Sequence, residues 1–532
     1  MRRLVITVAI VLGALQAWAS RFVIEPDGVN YLDVARAYLH HGWHGAINSY
    51  WSPLYSWLLA AAIWIGPSSP YWESTLLHAV NLIIYVAAIF CFWFFVREFG
   101  DPPSTNAWFL WPFVLFFYAM AFMIGLGLDT PDMIVAAVLF LATGLVRRIG
   151  RGATWGSYVG LGAVLGVGYL AKAVLFPVAF VFLLCSQIPG NWRRTIAALA
   201  VFVAVSAPFL ITISLARGRF TFGETGSLNY AWYVGGQGKL LHPVRQFSKD
   251  PAVEELAAPI AGTYSPWYDP PFWMDGLRPQ FQWKAQMRAI RRGALDLFQI
   301  LSMQRALAVA LLIVVFAQSS FSSYISRFLL LWRIWLPHVF LIGLYLLVHV
   351  EAHFLGASVV ILWLSLFWTA RTDTTEPKVL WAALLVSALA LAVPISRSAA
   401  GNVRMLVRPP VHKEWEAAEA LQKLGMRHGD SVAVLGHTNI ADYWAHLACV
   451  RVVADMRQDD VGKFWSADSA LRSHIIGLFA KAGARFVVTR STTTDDHWIN
   501  LGDMGYSVMD IRMISPSVGD GQPATKAPVL CN

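Results

Sequence analysis

Acidic side chains stand at the edges of apolar runs at three places in this sequence. The three motifs are FVIEPDGVNYLDVARAYL at 22 to 39, with Glu25, Asp27 and Asp33; GLDTPDM, with Asp129 and Asp132; and HVEAHF, with Glu351 and His353. Ionisable groups at the boundary of a hydrocarbon layer are costly to desolvate, so they tend to be functional or paired. A carboxylate there can act as a general base, and Lys172 in YLAKAVLFP can offer a compact positive charge to a phosphate.

Some of these acids are explained by helix starts alone. The apolar spacing in PDGVNYLDVARAYL predicts a helix, and acids near its N-terminus, such as Glu25 and Asp33, are favoured by the helix dipole. In LDTPDM the Thr-Pro pair is typical of an N-cap followed by a first helical position, which places Asp132 in the first turn. Asp27 and Asp129 are expected just outside these two helices, where a carboxylate is freer to face a substrate.

Two alternatives are open for each of the other candidates. Lys172 lies between two apolar runs and either extends to the membrane interface or binds a phosphate. Glu351 and His353 lie in a tight turn between two predicted spans, where they either pair with each other or serve the site.

The composition is that of an integral membrane protein. Of 532 residues, 57% are hydrophobic and only 14% are charged, against roughly 25% charged residues in soluble domains. A membrane helix needs about 20 apolar residues, and the sequence predicts about eleven such helices. They lie near 4–20, 73–96, 106–125, 132–147, 155–171, 173–188, 195–215, 303–318, 328–349, 354–370 and 379–396.

The basic residues indicate the orientation of the chain. They form short clusters, as in RRIGR at 147 to 151 and NWRR at 191 to 194, which is typical of cytoplasmic loops rather than of nucleic-acid binding. These clusters face the cytoplasm only if WSPLYSWLLAAAIWIG at 51 to 66 lies in the interface as a juxtamembrane helix. The same assignment puts the acidic motifs and Lys172 together on the external face. The first apolar run fits either a signal peptide or a span, and we expect an uncleaved span.

A polar excursion from 216 to 302 is rich in aromatic residues, which argues against disorder. Tyr230, Trp267 and Tyr268 belong either to an interfacial aromatic belt or to a surface for sugar rings and isoprenoid chains, and both roles are compatible. The basic stretch from 283 to 292 is expected on the external face as well. That position opposes the positive-inside tendency unless the stretch meets an anionic headgroup.

The sequence predicts two domains. A transmembrane domain covers residues 1–400, with external loops at 21–72 and 216–302, and a small α/β domain covers 410–532. In the second, strands such as SVAVLG, RVVADM and ARFVVTR alternate with helices, which favours a small parallel sheet. Its role is either acceptor binding or structural capping. Cys449 and Cys531 both lie in this domain, and a disulfide between them is possible in an oxidising compartment.

Taken in order, the motifs resemble the polytopic glycosyltransferases of the GT-C fold, in the branch that contains protein O-mannosyltransferases and the lipid A aminoarabinose transferase, and within it the bacterial family 39-like proteins. The resemblance covers roughly residues 1 to 370 and rests on the acidic first loop, WSPLYSWLLA, LDTPDM, YLAKAVLFP and HVEAHF. It implies a polytopic α-helical membrane protein with juxtamembrane helices. Two positions depart from the family pattern, because Ser52 replaces a basic residue and His353 replaces an arginine.

In that family the donor is a polyprenyl-phosphate-linked sugar. The resemblance implies that Asp27 is the catalytic base. Asp129 matches the family's second acidic residue and is the other predicted catalytic residue. Since the two departures weaken the expected phosphate contacts, Lys172 is the best candidate phosphate ligand. The further candidates for substrate binding are Glu351, His353, Tyr31, Tyr230, Trp267 and Tyr268.

The predicted activity is sugar transfer to the hydroxyl of a lipid, glycan or protein acceptor. The site and the C-terminal domain are expected on the periplasmic side of a bacterial inner membrane. Carboxylates facing lipid phosphates can recruit a divalent metal ion, although no ligand spacing demands one. The alternative is a membrane transporter or lipid flippase without glycosyl transfer. Against it, the acids lie outside the predicted spans, and no inverted repeat is apparent.

Overall fold

The chain is a multi-pass membrane protein. The computed structural model describes residues 2–40, 42, 46–67, 69–99, 106–152, 154–237, 243–256, 263, 279–317, 320–371, 377–437 and 443–513. Within them, five helices are long and apolar enough to cross a membrane, and two bent helix pairs raise the number to seven. Other predicted spans form shorter apolar helices, so the count of about eleven stays a prediction.

Most of the predicted apolar runs form helices of similar or greater length. In chain order, those of the membrane part are α1 Arg2–Ala19, α2 Pro26–His40, α3 Pro53–Ile65, α4 Glu73–Glu98, α5 Asn106–Tyr118, α6 Asp132–Arg151, α7 Trp155–Ala171, α8 Leu175–Ser186, α9 Trp192–Arg217, α10 Thr225–Asn229, α11 Trp283–Ser302, α12 Arg305–Phe316, α13 Phe321–Leu330, α14 Trp332–Leu346, α15 Ala352–Arg371 and α16 Pro377–Val407. Single π-helical turns, Ala119–Ile124 and Tyr230–Val234, continue α5 and α10.

The segment at 51 to 66 forms the 13-residue helix α3. At 1.5 Å per residue such a helix is about 20 Å long, which is shorter than the hydrocarbon layer of about 30 Å. It packs against α2, where the hydroxyl of Ser56 donates a hydrogen bond to the carbonyl of Tyr31 (3.1 Å). The first two external elements of the predicted topology are therefore in direct contact.

Glycines allow the membrane helices to approach closely. Gly162 and Gly166, one turn apart on α7, face α9, and a Cβ at Gly166 would lie 2.6 Å from the Cβ of Val205. Small residues at this spacing are typical of helix packing in membranes. Helices α6 and α7 also pack against each other, so the start of α6, at Asp132, lies beside the end of α7, next to Lys172.

A seven-stranded mixed sheet forms the second part of the structure. Its strands are β1 Pro243–Lys249, β2 Ala252–Leu256, β3 Ser431–His437, β4 Arg451–Arg457, β5 Phe486–Thr489, β6 Ile499–Asn500 and β7 Ser507–Asp510, in the order β1-β2-β4-β3-β5-β7-β6. The central three, β4, β3 and β5, are parallel, as the sequence predicts, and the remaining pairs are antiparallel. Helices α17 Lys413–Lys423, α18 Tyr443–Leu447, α19 Val461–Ser466 and α20 Ser469–Lys481 surround the sheet.

Both faces of the central strands are buried. Val432 and Val434 belong to one apolar cluster, whereas the alternate residues Ala433 and Leu435 belong to another. This is the pattern of parallel strands covered on both sides. The first cluster also contacts the membrane part, at Phe22, Ile24, Val29 and Tyr71.

Strands β1 and β2 come from the excursion that the sequence assigns to the transmembrane domain. They form a hairpin whose second strand pairs with β4, for example Glu254 with Asp455. The excursion therefore contributes to the sheet of the C-terminal region, and the predicted domain boundaries stay a prediction.

The described cysteines differ in oxidation state between the two parts of the structure. Cys91 on α4 and Cys185 on α8 are free thiols within apolar helices. Cys449 is disulfide-bonded, and Cys531 lies outside the described residues.

Candidate active site

Asp27 lies in the first turn of α2. The sequence predicts a position just before the helix, but the helix begins at Pro26, whose fixed φ suits the first helical position. Tyr31, one turn later, packs its ring against Trp51 (centroids 4.7 Å apart) and Tyr55 (5.0 Å). The buried aromatic residues fix the inner face of α2 and thereby the direction of Asp27.

The carboxylate of Asp27 is half-buried and makes no hydrogen bond or ion pair within the described part of the chain. Burial raises its pKa to about 6, Lys172 opposes the rise, and Glu25, Glu351 and Asp132 add to it. These charges act on Asp27 only because the three acidic motifs and Lys172 lie close to it. A carboxyl group with this pKa changes protonation state near neutral pH, which suits a general base.

Asp129 lies beneath the segment that carries Asp27. It is fully buried, and its Oδ2 accepts a hydrogen bond from the backbone N–H of Glu25 (2.8 Å). Its Oδ1 has no hydrogen-bond partner among the described residues and lies 3.9 Å from Nε2 of His78. Burial raises the pKa of Asp129. A Cβ at Gly28 would lie 2.6 Å from the Asp129 side chain, so this position has room only for glycine.

Lys172 forms an ion pair with Asp132. The Nζ to Oδ1 distance is 2.6 Å, and Asp132 also accepts a hydrogen bond from the hydroxyl of Thr130 (2.7 Å). The expected N-cap role of Thr130 is wrong, because Pro131 occupies the N-cap position and Thr130 bonds to Asp132 instead. Burial alone would lower the pKa of Lys172, but Asp132 holds it above its usual value. The lysine also lies 4.1 Å from the ring centroid of Phe354.

The late turn continues this charged cluster. His353, in the first turn of α15, lies 3.7 Å from Asp132 through Nε2 and 3.2 Å from Glu351 through Nδ1. Glu351 accepts a second contact from Nε2 of His349 (2.6 Å), which is the main reason that its pKa is lowered. His349 in turn stacks on Tyr233, with centroids 3.9 Å apart and the rings 2° from parallel. His353 therefore contacts both Glu351 and Asp132.

Tyr233 also borders a cavity of about 500 Å³. The cavity lies between the π-helical turn after α10 and the amphipathic helix α11, and its charged lining consists of Arg288, Arg291 and Arg292. Arg292 donates a hydrogen bond to the carbonyl of Tyr233, whereas Arg288 and Arg291 have no carboxylate partner in the described ranges. Three of the four basic residues of the stretch from 283 to 292 thus line one concave surface.

The predicted aromatic site residues differ in their surroundings. Tyr31 is buried beside Asp27, which contributes to the raised pKa of the phenol after burial itself. Tyr230 packs against a small apolar cluster of Val234, Ala285 and Ala289, and its role in substrate binding stays a prediction. Trp267 and Tyr268 lie outside the described residues.

Known proteins share this architecture but not this sequence. No protein-family model matches the chain, and no curated protein matches it. The oligosaccharyltransferase of Archaeoglobus fulgidus in its apo form aligns with a TM-score of 0.51 at 14% identity, over 91% of this chain and 69% of that chain. ArnT from Cupriavidus metallidurans, bound to undecaprenyl phosphate, aligns at 0.47 and 14% identity over 98% and 99%.

The chain has the GT-C fold. The fold expected from the order of the motifs is therefore confirmed, and the branch within the GT-C fold stays a prediction. At 14% identity the likeness concerns the fold, and the chemistry of this GT-C chain depends on its own side chains.

Sequence reasoning missed several parts of this site. The pairing of Asp132 with Lys172 and the position of His78 depend on contacts between distant segments. A contact of His349 with Glu351 could have been predicted, because His349, Glu351 and His353 alternate in HVEAHF. Groups of three or more His, Cys, Asp or Glu arranged to hold a metal ion do not occur among the described residues, and a divalent ion stays a prediction.

Proposed function

We propose that this GT-C chain transfers a sugar from a polyprenyl-phosphate-linked donor to an acceptor hydroxyl at the external face of a membrane, with Asp27 as the general base. The observation that carries the proposal is the state of Asp27. It is a half-buried carboxylate without a partner among the described residues, it has a pKa of about 6, and it lies close to Lys172. That the fold is shared with an oligosaccharyltransferase supports glycosyl transfer as the class of reaction.

The reaction needs one proton acceptor and one site for a departing phosphate. Asp27 takes the proton of the acceptor hydroxyl while the hydroxyl oxygen bonds to the anomeric carbon of the sugar. The bond from that carbon to the lipid phosphate oxygen breaks, and the phosphate leaves with the electron pair. A positioned base contributes about 10² to 10⁴-fold to the rate of such a step. The phosphate needs positive charge rather than a proton.

Two groups of cations can meet the phosphate. Lys172 stands beside Asp27, but its charge is largely compensated by Asp132. The cavity arginines, Arg288 and Arg291, lack such a partner among the described residues and suit bidentate contact with a phosphate. We place the lipid phosphate at the arginine cavity and the sugar between that cavity and Asp27, with Lys172 beside the breaking bond.

The remaining site residues have supporting roles in this proposal. Tyr233 lines the cavity and stacks on His349. His349 contacts Glu351, which in turn contacts His353. A displacement of the cavity wall by a bound donor would therefore reach the acids around Asp27. Asp129 positions the backbone at 25 to 28, and Tyr31 provides an aromatic surface next to the base.

The decisive experiment compares wild type with Asp27→Asn, which keeps the shape of the side chain and removes the base. We expect transfer to fall by about 10² to 10⁴-fold with unchanged folding and membrane insertion. Donor lipid should accumulate on the variant, and mass spectrometry of the co-purified lipid then identifies it and supplies the donor for assays. The matched control is Asp459→Asn, at an exposed aspartate of the C-terminal region.

Two results would contradict the proposal. One is transfer at the wild-type rate by Asp27→Asn. The other is wild-type protein that releases no sugar from any polyprenyl-phosphate lipid of its own membrane, while it moves such lipids between leaflets. The second result would favour a flippase.

A further inference from the structure

Four charged side chains are buried where the C-terminal region meets the membrane part. Asp33 and Arg36 come from α2, Glu73 begins α4, and His446 lies on α18. Each is at most 5% exposed. His446 contacts Asp33 through Nδ1 (3.1 Å) and Glu73 through Nε2 (2.8 Å), and Arg36 pairs with Glu73 at 2.7 Å.

The geometry defines the charge state of His446. Each of its ring nitrogens faces a carboxylate oxygen, and an ionised carboxylate only accepts hydrogen bonds. With both carboxylates ionised, both nitrogens donate, and the ring is then an imidazolium. Asp33, Glu73, Arg36 and His446 then carry two negative and two positive charges, and this balance offsets the cost of burying them. Burial lowers the pKa of His446, but the contacts with Asp33 and Glu73 raise it above its usual value.

The same helix carries this cluster and Asp27. Asp27 and Asp33 are six residues apart on α2, about 9 Å along a helix axis. On the other side of Asp27, the ring of Phe22 lies 4.1 Å from that of His412 and 5.5 Å from that of Trp415. Val29 packs against the apolar cluster that contains Trp415. The C-terminal region thus holds the chain both before and after Asp27.

We propose that His446 is a positioning residue for Asp27, so that the C-terminal domain completes the active site by fixing α2. The claim about docking stands on the contacts alone, whereas the effect on transfer rests on the proposed function of Asp27. Loss of the imidazolium leaves two buried carboxylates opposite one arginine, and α2 then moves away from its catalytic position.

The first test is hydrogen exchange of the full-length protein in lipid nanodiscs, which requires no ligand. We expect His446→Gln to speed exchange of amides in 22–40 by about tenfold or more, while the strands of the sheet keep their protection. His474→Gln is the matched control, since His474 is exposed on α20 of the same region. If His446→Gln unfolds the C-terminal region, Asp33→Asn replaces it, because Asp33 lies on the membrane side of the contact.

The second test measures transfer with donor lipid purified from the Asp27→Asn variant. Because small displacements of a catalytic group cost as much as about 10²-fold, we expect His446→Gln to lower kcat by that order with little change in KM. Wild-type kcat should also decline as pH rises above the usual pKa range of histidine. The folded-state pKa of His446 is raised, so its contribution is complete at acidic pH and is lost as pH rises through that value. The variant should lack this decline.

The groups that face His446 are Asp33, Arg36, Glu73 and the stacked ring of Tyr443. The docking role is overturned if 22–40 exchanges at the wild-type rate in both His446→Gln and Asp33→Asn. The link to Asp27 is overturned if exchange rises but kcat and its pH profile stay unchanged. Failure of the proposed function would leave the exchange result intact, so the two failures are distinguishable.

Discussion

Removing the positive charge of Lys172 should destabilise the protein. Its Nζ lies 2.6 Å from Asp132, whose side chain is only 2% exposed. With methionine at 172, Asp132 keeps its hydrogen bond from the hydroxyl of Thr130 and its more distant contact with the ring of His353. Breaking a buried ion pair from one side costs about 3–5 kcal/mol. Because Lys172 is partly exposed, we expect a loss at the lower end, about 3 kcal/mol.

The assay is chemical denaturation of the purified protein in detergent, for wild type, Lys172→Met, Asp132→Asn and the double variant. At 1.36 kcal/mol per tenfold change, a loss of 3 kcal/mol shifts the folding equilibrium by about 160-fold. The double variant should recover much of this loss, since it leaves no uncompensated charge. Lys463→Met is the control, because its ion pairs are on the surface and contribute little.

Two outcomes would refute this reasoning. In the first, Lys172→Met is as stable as wild type, which means that water or another cation compensates Asp132. In the second, the double variant is no more stable than Lys172→Met, which means that the two side chains are not coupled.

Three other predictions follow from the site. Because the carboxylate of Asp27 is the active form and its pKa is about 6, the transfer rate should fall on acidification to half near that pH and to roughly a tenth one unit below; a flat profile between pH 5 and 7 contradicts it. Arg291→Ala should raise KM for the donor lipid about 10 to 100-fold with little change in kcat, as expected for a contact with phosphate. Gly28→Ala should cost about 1–3 kcal/mol and reduce transfer, because its Cβ meets Asp129. Gly226→Ala, whose Cβ meets nothing, should be neutral in the same denaturation and transfer assays.

Local signals were sufficient for much of the fold. The lengths of the apolar runs predict the membrane helices, and the alternation of strands with helices predicts the central parallel strands. The short segment after Ser52 forms a separate helix beside α2. These features depend on neighbouring residues, which a single sequence contains. The boundaries were less accurate, as at Pro26, where one residue decides whether Asp27 lies before the helix or in it.

Contacts between distant segments could not be predicted in this way. Lys172 and Asp132 each have an adequate local explanation, so nothing in either motif indicates their ion pair. His446 stands in a largely apolar stretch and resembles an ordinary core histidine, because its partners, Asp33 and Glu73, are hundreds of positions away. The hairpin β1–β2 falls within a predicted external loop, because its short strands contain charged residues whose burial depends on β4.

That hairpin constrains how the protein is made. The ribosome produces β1 and β2 before helices α11 to α16, and β4, the strand that pairs with β2, emerges only after those helices. The hairpin therefore stays without β4, its partner strand, while the membrane part is assembled. A tail expressed alone would expose the edge of β4, and an open strand edge readily pairs with other chains. Biogenesis thus joins the middle and last thirds of the polypeptide in a single late step.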